Sequence, residues 1–365
     1  MTNLRIPGPT PCPPEVLSAM GRQMINHRGS EFTQTLTDVT AKLKKLFLTQ
    51  NDLFVLTGSG TGGLEAAVVN MLSPGDHVLG VSIGVFGDRF ATIAKTFGAE
   101  VTHLKFPWGK AADIAVIAAA LDKDPAIKAV LVTHNETSTG VTNDLGAIAK
   151  AIRPYNKLFI VDAISSLGSI EFPVDEWGVD VVVTGSQKSW MVPPGLAMVS
   201  ISPKAWEAYA GAKMARFYWD FGKCKKYLVE KGGQTPWTPA VSVVLALNVA
   251  LDMMLSEGLS NIIARHKHLG QMTRDGVKGL GLKLFAEESH ASNTVTSIMA
   301  TEGLDAKKLG KIMREQYDTI ISGGQMELEG KIFRIGHLGW VSENDIQAAL
   351  DNLRLALPAA GFRSA

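Results

Sequence analysis

Lys188 sits in the stretch TGSQKSW (residues 184–190), directly after the apolar run VDVVV. Lysine ordinarily belongs in water. Held at the mouth of a hydrophobic core, its amine loses hydration, its pKa falls, and it becomes a nucleophile toward carbonyls. Asp162 closes a second apolar run, LFIV. A carboxylate there needs a cation, backbone amides or a proton. The third feature is TGSGTGG (57–63), which leads into LEAAVVNML. A glycine-rich turn at a helix start presents free N–H groups and the positive end of the helix dipole, which together attract phosphate. Singly, each has a plain structural reading: a snorkelling lysine, a helix cap, a tight strand–helix turn. Jointly they suit pyridoxal phosphate, which offers an aldehyde to the lysine, a ring nitrogen to the carboxylate and a phosphate to the turn.

These residues need a scaffold that gathers strand ends. Seven short β-rich runs occur between residues 50 and 202: LFVLT, HVLGVS, VTHLKF, AVLVTH, LFIVDA, VDVVVTG and LAMVSIS. Helical stretches separate most of them; Leu145, Ile148 and Ile152 fall on one face of such a stretch. The pattern predicts an α/β fold with a mostly parallel seven-stranded sheet covered on both faces. Ligands collect at the carboxyl ends of such strands, and four of these ends read TGSGTGG, HNETSTG, DAISS and TGSQKSW. Near residue 240 the pattern changes. Two helices are expected at about 240–255 and 259–279, then a smaller α+β unit whose last helix opens with the capping pattern Ser342–Asp345 and buries Ile346, Leu350, Leu353 and Leu357. The expected division is an extended segment 1–15, a large cofactor-binding domain 16–255 and a small C-terminal domain 256–365.

Composition removes several function classes. The chain has 365 residues and net charge +1 from 36 basic and 35 acidic side chains, without a block of like charge, so nucleic acid and anionic membranes are not expected partners. Lys223, Lys225 and Lys226 are the densest basic patch and read as a solvated face. Two cysteines, Cys12 and Cys224, form neither a disulfide framework nor a CxxC metal site, and they fit a reducing cytoplasm. The run Val241–Leu255 is too short to span a bilayer. No metal site is expected: His27, His134 and His337 are scattered, and the HKH at 266–268 reads as a helix surface rather than zinc ligands.

PGPTPCPPEVL, NHRGSEF, TGSGTGGLEAAVVNMLSPGD, HNETSTGV, VDAISSLG, GSQKSWMVPPGLA, TPWTP and KIFRIGHLG occur in this order over nearly the whole chain. In this the sequence resembles the class V, fold-type I aminotransferases, above all the alanine–glyoxylate, serine–glyoxylate and serine–pyruvate group. The resemblance implies that Lys188 holds the cofactor as a Schiff base and shuttles the proton, and that Asp162 pairs with the ring nitrogen. It implies phosphate binding by Ser59, Gly60, Thr61 and Gln187, with Thr238 reaching the phosphate of a neighbouring subunit. Phe86 and Ile164 would sandwich the ring, Thr137 would hydrogen-bond near its hydroxyl, and Arg334 would clamp the substrate α-carboxylate. A homodimer with active sites at the subunit interface is implied as well. The expected reaction moves the amino group of alanine or serine to glyoxylate or pyruvate. Phe86, Thr61 and Thr235 stand where the animal alanine–glyoxylate enzymes have Trp, His and Tyr. The sibling cysteine desulfurases place a His before the lysine and a catalytic Cys in the C-terminal half; Gln187, Cys12 and Cys224 do not match.

Alternatives remain at this level. Aspartate, ureidoglycine or 2-aminoethylphosphonate are other family donors, and a second cation near the substrate, from Arg28 or Arg89, would favour a diacid or phosphonate. Asn26 and Arg28 are candidates for the substrate entrance. More distantly, Gly58, Gly60 and Gly63 match G-x-G-x-x-G, and Tyr209 with Lys213 imitates a short-chain dehydrogenase pair, so a nicotinamide-dependent reductase is the rival. Its ribose-binding acid is missing from the end of the next strand.

Overall fold

A computed structural model describes residues 2–362. Seven strands form one sheet: β1 (Asp52–Thr57), β2 (His77–Ser82), β3 (Glu100–Lys105), β4 (Ile127–Thr133), β5 (Leu158–Asp162), β6 (Val181–Gly185) and β7 (Leu196–Ile201). Their spatial order is β1-β7-β6-β5-β4-β2-β3. Only β7 runs antiparallel to its neighbours, β1 and β6. The cause is covalent: the link from Gly185 to Leu196 is too short for the helical crossover that a parallel pair demands.

Successive side chains of β4 enter opposite cores. Val130 and Val132 face one hydrophobic cluster, and Ala129 and Leu131 face the other. This is the period-2 geometry of a strand covered on both faces. β3 departs from the expectation of a buried strand. No residue of Glu100–Lys105 is buried, because the strand forms the sheet edge beside β2 alone.

Two helices position the site. α1 (Gly60–Met71) starts directly beyond β1, with the Ser59 side chain accepting from Gly62 N–H. α2 (Val85–Thr96) starts beyond β2. Further on, α3 (Val241–Glu257) and α4 (Leu259–Gly279) meet at an 85° bend. The bend falls at Gly258, whose φ of 84° belongs to the left-handed region that favours glycine. Among the described residues no single helix is long and apolar enough to cross a membrane.

The C-terminal part is α+β. β8 (Val295–Met299), β9 (Ser322–Gly323) and β10 (Ile332–Gly336) make an antiparallel sheet with β10 in the centre. Phe333 and Ile335 pack with Leu309 and Met313 of α5 (Ala306–Tyr317) and with Ile346 and Leu353 of α6 (Glu343–Ala356). Ser342 and Asp345 form the expected reciprocal capping box at the start of α6.

Candidate active site

The carboxyl ends of β1, β4, β5 and β6 open into one cleft of about 530 Å³. Ser59, Gly60 and Thr61 line it from the start of α1, and Phe86 and Arg89 from α2. Asn135 and Thr137 follow β4, Asp162, Ile164 and Ser165 lie at the end of β5, and Gln187 and Lys188 follow β6. Ten of the residues singled out from the sequence therefore converge: Ser59, Gly60, Thr61, Phe86, Arg89, Thr137, Asp162, Ile164, Gln187 and Lys188.

Asp162 is 3% exposed, and its carboxylate accepts a hydrogen bond from Ile164 N–H at 2.9 Å, the side chain's one protein donor among the described residues. Burial, reinforced by the nearby Glu136, pushes its carboxyl up to about 7. Burial pushes the Lys188 amine down to about 8, against the opposing pull of Asp162. Lys188 Nζ donates to the Pro7 carbonyl at 2.6 Å. That carbonyl belongs to an N-terminal strap. Asn3–Leu4 pairs with Thr319–Ile320, Gly336 N–H donates to the Arg5 carbonyl at 2.8 Å, and Thr10 N–H donates to the Gln187 carbonyl at 3.0 Å.

Arg334 lies on β10 and is 5% exposed. Its guanidinium donates to the carbonyls of Gly323 and Thr137 and to Gln325 Oε1, at 2.8–3.2 Å, and has no carboxylate partner among the described residues. Burial draws its pKa down to about 10. The Thr137 contact ties it to the wall of the cleft.

Glu136 is fully buried and was not singled out from the sequence. Its Oε2 accepts from Phe86 N–H at 2.9 Å and Gly87 N–H at 3.1 Å, and its Oε1 from Ser138 N–H at 3.1 Å and Ser138 Oγ at 2.5 Å. A carboxylate at the first turn of α2 satisfies free amides and fixes Phe86. Leu64, Asn135 and Ser165 complete the lining. Asn135 and Glu136 lie in HNETSTG and Ser165 in DAISS, so the strand-end pattern was the available signal.

Several residues lie elsewhere. Thr238 lines a separate pocket with Thr57, Tyr218 and Trp237. Arg28 donates to the Thr235 carbonyl at 2.5 Å, and neither it nor Asn26 lines the cleft. Tyr209 donates to Asp220 at 2.8 Å, away from Lys188, and so offers nothing to a reductase at this cleft. His266 corrects the expectation of a helix surface. It is 1% exposed, on the buried stripe of α4 with Ile262, Leu269 and Thr273. Its Nδ1 lies 2.7 Å from the Ile262 carbonyl, and its Nε2 accepts from Gly339 N–H at 3.1 Å and faces Ser169 Oγ at 3.0 Å.

A family model described as aminotransferase class-V matches residues 3–333. The chain is a class V aminotransferase. It is 46% identical over 362 residues to a protein of a Synechococcus species named soluble hydrogenase, small subunit, covering 98% of this chain and 94% of that one. It is 40% identical over 344 residues to the L-aspartate–glyoxylate aminotransferase of Paracoccus denitrificans, covering 93% and 86%. The solved pyridoxamine–pyruvate aminotransferase of Mesorhizobium loti superposes with a TM-score of 0.95 at 32% identity, covering 99% and 93%. The fold is that of the fold-type I enzymes, and the aminotransferase takes pyridoxal phosphate as its cofactor. The cleft fits that group. Among the described residues, Asp162 faces it with an oxygen that no protein donor occupies and Gln187 Oε1 is buried without a partner, and the start of α1 supplies amides for the phosphate. A Cβ on Gly60 would come within 2.6 Å of Ile164 Cδ1, so glycine keeps that wall narrow.

Proposed function

We propose that the protein moves the amino group of a small L-amino acid, alanine or serine, to glyoxylate or pyruvate in two half-reactions. The observation that carries this reading is the pairing, in one cleft, of a buried amine and a buried carboxylate, Lys188 and Asp162, with Arg334 alongside and free of carboxylate partners. Once attached to Lys188, pyridoxal phosphate supplies an electron sink for the bond broken at the donor Cα. Asp162 balances positive charge at the ring nitrogen. Ser59, Gly60, Thr61 and Gln187 bind the phosphate. Phe86 and Ile164 hold the ring between an aromatic and an aliphatic surface, and Thr137 hydrogen-bonds near the ring hydroxyl. Arg334 takes the donor α-carboxylate through its planar guanidinium and so sets which Cα bond faces Lys188. Lys188 would hold the cofactor and, once free, would serve as the base that takes the donor Cα proton and the acid that returns it. An amine held near 8 rather than 10.5 has a far larger neutral fraction at physiological pH, which suits that task.

The position of Thr238, outside the cleft of its own chain, supports a homodimer in which it serves the partner's phosphate site. Two unpaired thiols, Cys12 and Cys224, support a cytoplasmic setting. The bend at Gly258 supports a boundary between the large and small domains there. The test is a visible spectrum of the holoenzyme titrated with L-alanine, L-serine and then glyoxylate. Loss of the lysine-bound cofactor band with either donor and its return with glyoxylate are expected. A band that neither donor alters would overturn the donor assignment.

A further inference from the structure

We propose that Gln325 occupies the carboxylate place on Arg334 while the cleft is empty and yields it when a donor binds, so that this side chain sets the affinity for the donor α-carboxylate. The inference rests on the aminotransferase reading above and on Arg334 as its carboxylate clamp. Arg334 does not itself line the cofactor cleft; Thr137, whose carbonyl it holds, does. A guanidinium has five N–H donors. Here Nε and Nη2 share the Gly323 carbonyl at 3.0 and 2.8 Å, and Nη1 donates to the Thr137 carbonyl at 2.8 Å and to Gln325 Oε1 at 3.2 Å. Both N–H groups of Nη1 and that of Nε are therefore committed, and Nη2 has one to spare. A forked carboxylate needs two parallel N–H groups. One of the present acceptors has to leave.

The three acceptors differ in freedom. Gly323 lies on β9, and its carbonyl is fixed by the pairing of that strand with β10. Thr137 is buried in a turn closed by a hydrogen bond from Gly140 N–H to the Glu136 carbonyl at 2.9 Å. Gln325 is half-buried, its bond is the longest of the four, and it reaches Arg334 through a side chain that can rotate. The next two residues, Met326 and Glu327, border an open groove that shares Arg89 with the cleft. Without an acceptor in the empty cleft, an N–H of the 5% exposed Arg334 would be buried and unpaired, which is costly. Gln325 supplies a neutral acceptor there, and a donor carboxylate replaces it with a charged and stronger one. Glu136 acts on Arg334 through its charge but cannot take this place, because its oxygens are filled by Phe86, Gly87 and Ser138.

The test titrates the holoenzyme with L-alanine and with ethylamine, a probe that lacks the carboxylate, and follows the cofactor band. Gln325→Leu removes the competitor, so the apparent affinity for alanine should rise about fivefold, the factor that one neutral hydrogen bond of typical net strength represents. Gln325→Glu places a charged competitor on Arg334, so alanine should bind about tenfold or more weakly. Ethylamine should respond alike in all three proteins. The opposite signs separate competition from damage to the fold, which would weaken alanine in both variants. Alanine affinity that is unchanged or lower in Gln325→Leu, or a change for ethylamine equal to that for alanine, overturns the inference. A wild-type band that responds to neither alanine nor serine defeats the donor reading on which the inference rests, and unchanged alanine affinity in Arg334→Gln defeats the clamp and the inference with it.

Discussion

Lys188 Nζ and the Pro7 carbonyl oxygen lie 2.6 Å apart although 181 positions separate them in the chain. The contact is made at Gly8, whose φ of 127° suits glycine and whose missing Cβ would stand 2.7 Å from Nζ. The side chain proposed to carry the cofactor is therefore aimed partly by backbone from the other end of the chain.

Gly8→Ala should displace that amine and strain the strap at once. Cofactor affinity should fall roughly tenfold or more, since a positive-φ strain of about 1–3 kcal/mol adds to the displacement. Visible titration of the cofactor-free protein with pyridoxal phosphate reads the change. Gly75→Ala is the control, because that glycine also has positive φ but no atom within 4 Å of the added Cβ. Equal affinities in wild type and Gly8→Ala would remove the strap from the site.

Lys188→Ala should keep the fold and lose covalent attachment. Borohydride treatment followed by mass measurement should add the cofactor mass to the wild type and nothing to the variant. Turnover should fall by about 10²–10⁴-fold or further, the scale of a positioned proton-transfer group. Wild-type turnover in the variant would end the assignment of Lys188.

Asp162 gives a pH signature in the cofactor-free protein. Its folded pKa is raised to about 7 by burial, above an unfolded value of about 3.9. The native state then holds the proton more tightly than the unfolded one. Stability from this group is complete below about pH 4 and is lost as pH rises through about 7. Urea unfolding of wild type and Asp162→Asn should diverge over that window, the wild type losing ground to the variant as pH rises. Parallel curves would place the carboxylate in a far more polar setting. In the loaded enzyme the same substitution should lower kcat by about 10²–10³-fold, as for loss of a stabilising charge at the reacting group.

The buried histidines act in the opposite direction. Burial holds His134, His266 and His337 down to about 3, so each contributes stability above its unfolded pKa of about 6.5 that is lost as pH falls toward 3. His266→Gln should flatten the acid limb of the stability curve, at a cost near neutral pH of about 1–3 kcal/mol for the bonds to Gly339 and Ser169. An unchanged acid limb would mean that His266 protonates without leaving its contacts.

Much of the site was legible because its chemistry is local. Asp162, Lys188 and the TGSGTGG turn each end a strand, and one sheet brings all strand ends together. Glu136 was less legible. A carboxylate among small polar residues looks like a turn, and its role depends on α2 arriving from 50 positions away. The burial of His266 was readable in helical phase with Ile262, Leu269 and Thr273, but adjacency to Lys267 and His268 suggested a surface. The exposure of β3 follows from its place at the sheet edge, which apolar content does not encode. The Pro7 contact left no local mark, because a backbone carbonyl carries no residue identity.

The strap also fixes when in synthesis the cover of the site can be complete. Thr2 and Asp318, joined by a hydrogen bond at 2.6 Å, lie 316 positions apart, and the outer anchors at Ile320 and Gly336 are made later still. During N-to-C emergence from the ribosome, the sheet, Lys188 and the inner strap contacts at Pro7 and Thr10 can form while the outer end of the strap, residues 2–5, has nothing to hold. A nascent chain stalled before residue 318 would hold the strap by its inner contacts at Gln187 and Lys188 alone, so full anchoring of the strap over the cleft reports completion of the polypeptide through Gly336.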